Sequence, residues 1–178
     1  MNEHILKNGK EIIIRKANPK DAHNIIQYKS LVGEEPDYRT FETDEMDFNI
    51  KREECSIESI NVKKNSLMAV ALIDGEIVGL IVFRGGERNR IRHVGEMGIT
   101  VRKPCWGLDI GGLLIGFLIE WAKETRIIRK INLRVRSDNE NAIQLYKKYG
   151  FREEGMLTRD FLIDENLYDS ISMGLLID

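Results

Sequence analysis

The chain has 178 residues, 42% hydrophobic and 31% charged, which is the size and mix of one ordinary globular domain with a sizeable core. Its formal net charge of −2 and the lack of any run of five or six basic residues give a nucleic acid backbone nothing to bind. Cys55 and Cys105 form no C-x-x-C pair and His4, His23 and His93 are scattered, so neither a disulfide framework nor a metal site is expected, and a reducing cytoplasm fits.

The N-terminal MNEHILKNGKEIII lacks the basic-then-apolar order of a signal peptide, and the most apolar run, 110–119, is too short to cross a bilayer, so no membrane partner is expected. KEIIIRKA (10–17) reads as a first strand. Asn18-Pro19-Lys20-Asp21 supplies an N-cap, a proline at N1 and a first-turn acid for a helix to about Leu31. A loop over 33–41 precedes a second helix introduced by Thr43, with Met46, Ile50, Ile57 and Ile60 on one face. Two β-rich runs in 66–83 flank Asp74-Gly75, a hairpin signal, and 91–101 resumes as a strand after the polar turn 84–90.

From 110 the period becomes helical: Ile110, Leu113, Leu114, Phe117, Leu118, Trp121 and Ala122 form one stripe. INLRVR (131–136) is a strand, and Ser137 to Glu140 matches a capping box opening a helix striped by Ala142, Leu145, Tyr146 and Tyr149 and closed by Gly150. Strands near 151–162 and 166–176 complete the order β-α-α-β-β-β-α-β-α-β-β. No linker or repeat divides it, so the expected fold is a single α/β domain over 1–178 (α+β in some schemes), a mixed, mostly antiparallel sheet of about seven strands with helices on both faces.

The stretch WGLDIGG (106–112) places a glycine-rich turn between a strand and a helix, where unpaired first-turn amides converge on a point that suits an anion. Glycine there lets phosphates approach the backbone, although Gly112 and Gly116 could equally serve close helix packing. The turn is no P-loop, because Leu113-Leu114 stands where Lys-Ser/Thr is required. Nor is it a dinucleotide fingerprint, which needs G-x-G-x-x-G after the first strand of a βαβ unit.

GITVRKPCWGLDIGGLLIGFLIEWA (98–122) and INLRVRSDNENAIQLYKKYGFREEG (131–155) resemble the two cofactor motifs of the GNAT superfamily of acetyl-CoA-dependent N-acetyltransferases. The pattern Q/R-x-x-G-x-G/A falls on Trp106, Gly107, Leu108, Asp109, Ile110 and Gly111, with Trp106 replacing Q/R and Asp109 replacing the first glycine. The resemblance implies that the fourth and fifth strands splay apart, that pantetheine runs along backbone near Ile99 and Val101, and that pyrophosphate sits on amides from Gly107 to Gly112. It implies a cofactor contact at Asn139. It also gives Tyr146 the role of protonating the departing thiolate, where the plain alternative is a core tyrosine.

The reaction needs a base to make a neutral amine, and Glu96, on the strand face shared with Val94, Gly98 and Thr100, is the candidate, or else a solvated surface carboxylate. Backbone N–H groups near Met97 and Gly98 are the candidate oxyanion donors. Asp109 either turns outward or competes with the cofactor for the helix amides. The expected activity is direct acetyl transfer from acetyl-CoA to a primary amine of a small molecule or protein N-terminus, in a chain compatible with a homodimer. The alternative is a non-catalytic acyl-CoA-binding regulatory module. The acidic segment GEEPDYRTFETDEMD (33–47) would favour a cationic acceptor, if it is more than a solvated loop.

Overall fold

A computed structural model describes residues 2–35, 48–163 and 165–178. Its strands are β1 (Asn2–Ile5), β2 (Glu11–Lys16), β3 (Ser66–Ile73), β4 (Glu76–Gly85), β5 (Val94–Val101), β6 (Lys130–Arg136), β7 (Arg152–Ile163) and β8 (Asn166–Leu176). The helices are α1 (Ala22–Gly33), α2 (Ile50–Asn61), α3 (Ile110–Thr125) and α4 (Glu140–Lys148). The start of the expected second helix and most of the acidic segment, residues 36–47, lie outside the described residues.

All strands join one sheet in the order β1-β2-β3-β4-β5-β6-β8-β7. It has eight strands rather than about seven; the addition is β1, antiparallel to β2. The turn Asn8-Gly9 makes it: Gly9 takes φ +81°, its N–H bonds the Leu6 carbonyl at 2.8 Å, and Asn8 Oδ1 accepts from Lys10 N. Asn-Gly is a strong hairpin signal, but β1 has only four residues and half-buries just two of them, so no apolar run announces it.

The sheet separates two apolar layers. Met68, Val70, Ile77 and Leu80 meet Ile25, Tyr28, Ile57 and Ile60 of α1 and α2 on one face. Leu67, Ala69, Ala71, Ile81 and Phe83 meet α3 and α4 on the other. β3 and β4 are covered on both sides, which is why their sequences are nearly continuous apolar runs instead of alternating ones. At Gly79 the helix lies so close that a Cβ would stand 2.9 Å from Leu114 Cδ1, and this seats the first turn of α3 on β4. The buried stripe of α3 differs from the expected one: Ile115 is buried while Leu113 and Phe117 are only half-buried, because α3 touches α4 as well as the sheet.

The expected capping box at Ser137 is displaced. Asn139 is the N-cap of α4, its Oδ1 accepting from Ala142 N at 3.2 Å, while Ser137 N–H bonds the Asp169 carbonyl of β8. Gly150, at φ +91°, closes α4 as expected, with Gly150 N–H on the Lys147 carbonyl and Phe151 N–H on that of Tyr146.

Near the entry to α1, Asp21 is 7% exposed, receives both Arg15 Nη1 and Nη2 (2.7 and 2.8 Å) and accepts from Asn18 N at 2.8 Å. The Arg15 hydrogen bonds hold its carboxyl below the ordinary value against the opposing effect of burial. A depressed folded-state value means that the stabilisation is present above the unfolded value near about 3.9 and is lost as pH falls through the folded one. Asp21→Asn should therefore cost about 1.5–3 kcal/mol at neutral pH, with the gap from wild type closing below about pH 4, as read by urea denaturation at both pH values.

Candidate active site

β5 pairs along its whole length with β4, from Gly79↔Val101 to Gly85↔Gly95. With β6 it pairs in parallel only at Val94↔Lys130, Gly95↔Ile131 and Glu96↔Asn132. Past that rung β6 continues beside β8 to Arg136↔Ser170, and β5 stays with β4. The two strands, fourth and fifth in the expected order, thus open a wedge whose apex is Glu96 and Asn132.

Backbone direction along the wedge follows from the ladder. Gly86 N–H bonds the Val94 carbonyl and Arg102 N–H bonds the Val78 carbonyl, so the even-numbered residues of β5 are bonded to β4. Antiparallel alternation then turns the amides and carbonyls of Met97, Ile99 and Val101 toward the wedge. Gly98 points its own toward β4, so of the pair near the expected oxyanion position only Met97 faces the opening. The Val101 carbonyl accepts from Trp106 Nε1 at 2.8 Å and Met97 directly adjoins the last rung, which leaves Ile99 as the residue of β5 with both backbone groups facing the opening beyond it. Trp106 therefore ties the glycine turn to the end of β5, a role that its replacement of Q/R did not signal.

At the wide end of the wedge, Lys103–Cys105 forms a 3₁₀ turn, Gly107 adopts φ +79° and Asp109 φ +64°, and α3 begins at Ile110. The first intrahelical bond runs from Leu113 N to the Asp109 carbonyl at 3.0 Å. The amides of Ile110, Gly111 and Gly112 precede it and have no carbonyl within the helix to bind. Gly107, at positive φ with open space around its Cα, and Leu108 complete the loop over these amides. Such an arrangement, at the positive end of the helix, has the geometry to cradle an anion.

Asp109 occupies a left-handed position that glycine favours and that aspartate is among the few other residues to tolerate. Its side chain makes no capping bond; Oδ1 stands 3.7 Å from Lys148 Nζ on α4. Competition for the amides would need carboxylate–amide hydrogen bonds, and the side chain makes no capping bond; its carboxylate lies on the α4 side of the first turn, beside Gly112. Gly112 is explained by the same neighbours: a Cβ there would lie 2.6 Å from both Asp109 Oδ1 and Tyr149 Oη, so its bareness serves α4 rather than the sheet.

Under the wedge, on the α3 and α4 face, Tyr146 is 8% exposed, with its ring 5.8 Å from that of Phe151. Burial pushes its phenol up to about 12. On the opposite face Glu96 is half exposed and 3.5 Å from Arg134 Nε, whose Nη1 lies 3.5 Å from Asp160 Oδ1; Asp160 Oδ2 in turn accepts from Ser170 Oγ. Thr100, on the same face of β5, accepts a hydrogen bond from the Tyr28 hydroxyl at 2.9 Å, fixing α1 over this side. Asn139 spends its side-chain oxygen on the cap, which leaves its amide nitrogen as the donor at the N-terminus of α4. His93 is exposed and contributes only its carbonyl, to Arg129 and Lys130 N–H. Arg134, Asp160 and Asn132 are the site-facing groups that the sequence does not announce: Asn132 and Arg134 are merely the polar half of the INLRVR alternation, and Asp160 is one more charge on the long strand β7.

A model of the acetyltransferase (GNAT) family matches residues 31–151. The chain is 30% identical over 172 residues to an N-alpha-acetyltransferase of Sulfurisphaera tokodaii, covering 91% of this chain and 93% of that protein. It is 37% identical over 86 residues to the L-amino acid N-acetyltransferase AaaT of Escherichia coli, 48% of this chain and 53% of AaaT, so this match spans about half of that relative's length. Among solved structures, an acetyltransferase of the GNAT family from Streptococcus pneumoniae superposes with a TM-score of 0.90 at 31% identity, over 94% of this chain and 99% of that one. The fold is also that of yncA from Salmonella typhimurium, solved with acetyl-CoA, at a TM-score of 0.81 and 17% identity over 94% of each chain.

The two glycines on the α4 side of α3 should separate in a thermal melt. Gly116 has Tyr149 Cε1 at an ordinary 3.9 Å, so Gly116→Ala should stabilise by roughly 0.8–1 kcal/mol through helix propensity. Gly112→Ala, which must displace the Asp109 carboxylate and the Tyr149 hydroxyl, should gain less than Gly116→Ala despite the same propensity term.

Proposed function

The chain belongs to the acetyltransferase (GNAT) family, and on that footing we propose that residues 1–178 are a single acetyltransferase domain that moves the acetyl group of acetyl-CoA directly to a primary amine. The observation that carries this reading is the wedge between β5 and β6, with an anion cradle at its wide end and a carboxylate at its apex. Acetyl-CoA fits the groups present: a pyrophosphate suits the amides from Gly107 to Gly112, and an amide-bearing arm suits the exposed backbone of Ile99 and the N–H of Val101. When bound, the cofactor supplies an acetyl carbon activated by its thioester.

The chain's own groups then act as follows. Glu96 takes the proton that the attacking amine must lose, and Arg134, with Nε 3.5 Å from Oε1, orients the Glu96 carboxylate. Tyr146 presents its O–H to the sulfur that leaves as the new C–N bond replaces the C–S bond. Burial holds the Tyr146 phenol well above the range of a thiol, so Tyr146 stabilises the thiolate chiefly as a hydrogen-bond donor. The two cysteines are free thiols, in keeping with a reducing cytoplasm. The second reading, a binding module without catalysis, draws on one observation, the engagement of the only proposed base with Arg134.

Release of free thiol from acetyl-CoA across an amine panel tests the proposal: wild type should turn over, Glu96→Gln should lose about 100-fold in kcat, and Tyr146→Phe at least tenfold. Tight acetyl-CoA binding with no turnover on any amine would favour the binding module. Because Tyr146 keeps its proton up to about 12, the rate should rise with amine deprotonation and show no descending alkaline limb from this group below that pH. Since Asp109 is exposed and paired with Lys148, Asp109→Gly should leave the acetyl-CoA dissociation constant within about fivefold by calorimetry.

A further inference from the structure

One buried atom at the apex of the wedge has no partner among the described residues. Asn132 Oδ1 is shielded from solvent and accepts no hydrogen bond from them, although a buried acceptor ordinarily has a donor. Asn132 is the bridge partner of Glu96, the last rung before the strands part, and parallel bridge partners project their side chains on the same face. Its neighbours explain why no donor reaches it. On β6 the flanking cations on that face are Lys130 and Arg134; Lys130 Nζ is bound to Glu154 at 2.8 Å, and Arg134 is held between Glu96 and Asp160. Across β8 the partner of Asn132 is Gly174, which has no side chain and over which the Lys130–Glu154 pair lies.

We propose that the side-chain carbonyl of Asn132 is the second binding point for the acceptor nitrogen, receiving one N–H of a primary amine while Glu96 takes the proton from another. This rests on the acetyl-transfer reading above and deepens it. An ammonium brings three N–H bonds to the apex. One proton passes from nitrogen to the Glu96 carboxylate, freeing the lone pair that forms the C–N bond. A second N–H stays on Asn132 Oδ1 and becomes the N–H of the product amide, and the third proton is lost as the C–S bond breaks, to the departing thiolate or to solvent. An N-methylated acceptor has two N–H bonds in place of three and loses both on the way to its amide, so no donor remains for Asn132 Oδ1 as the product forms, and Asn132 makes the site selective for primary over secondary amines. Both groups lie on the face of β5 and β6 opposite Tyr146, so the nitrogen and the departing sulfur are handled from the two sides of the sheet.

The test uses Asn132→Leu, which keeps bulk without an acceptor, and Asn132→Asp, which keeps an acceptor oxygen, with a primary amine and its N-methyl analogue from those that wild type acetylates. Asn132→Leu should raise the KM for the primary amine by roughly five- to fifty-fold, flatten the preference over the N-methyl analogue by a similar factor, and leave calorimetric acetyl-CoA binding unchanged. It should also melt at or above the wild-type temperature, since it removes an unsatisfied buried acceptor. Asn132→Asp should retain most of the primary-amine preference. Wild-type KM and selectivity in Asn132→Leu would overturn the inference while leaving the acetyl-transfer reading in place. Loss of acetyl-CoA binding or a collapse of the melting temperature in Asn132→Leu would also overturn it, by showing a structural role. Absence of turnover in wild type with every amine would bring down both together.

Discussion

The parting of β5 from β6 is the constraint on which the rest of this molecule depends. A sheet normally gains by pairing every strand edge, and an unpaired edge in an interior position exposes amides and carbonyls that must find partners elsewhere. Here each half of the sheet is complete without the other: β5 is registered to β4 over its full length, and β6 to β8 over its full length. The short contact at 94–96 with 130–132 acts as a hinge pin between two self-sufficient sheets. The layer of α3 and α4 spans the join underneath, with Tyr146, Phe151 and Leu133 in the same apolar cluster as Met97 and Leu114. The opening is thus held by packing rather than by bonds across it, and backbone groups of Ile99 stay available to a ligand.

The same packing fixes what lies at either end of the opening. Gly79 lets α3 sit on β4, which brings the first turn of α3 to the wide end. Trp106 anchors the intervening turn to Val101, and Glu35 reinforces this from the end of α1 by bonding Arg102 Nε and Lys103 N, each at 2.8 Å. Charge is divided accordingly. The cradle offers amides and a helix terminus, while the apex concentrates Glu96, Asp160 and Arg134, two carboxylates to one guanidinium. On the proposed reading, an anionic cofactor tail and a cationic nucleophile would be drawn to opposite ends of one cleft, an ordering that sequence charge totals near zero conceal.

Most elements were legible because their signals are local. The Asp74-Gly75 hairpin, the stripe from Ile110, the Gly150 stop and the two long terminal strands each depend on residues close in sequence. β1 was missed although Asn8-Gly9 is the same kind of signal, because the strand before it is short and polar. The capping box failed at Ser137 because β8 claims that amide through Asp169, a competitor more than thirty residues away. The wedge was reachable only through family resemblance. Nothing in VGEMGITV or INLRVR says that these strands separate after one particular pair. Asn132 was invisible for the same reason, since an asparagine on the polar side of a strand is ordinary until its neighbours are known to be engaged elsewhere.

Two residues of the site therefore contradict local rules in different senses. Asp109 breaks a motif without breaking the physics: the position demands a left-handed backbone, aspartate can adopt one, and Lys148 draws its carboxylate away from the amides. Asn132 fits every sequence rule and breaks the physics, because a buried acceptor in a folded protein ordinarily has a donor. A structural asparagine would have acquired one from Arg134 or Lys130, both of which are near enough in sequence and on the same face. That both cations are instead committed to carboxylates leaves Asn132 Oδ1, beside the Glu96 carboxylate, without a donor among the described residues. The chemistry at that point requires a donor that arrives with the substrate, and a primary amine is the simplest group that brings it.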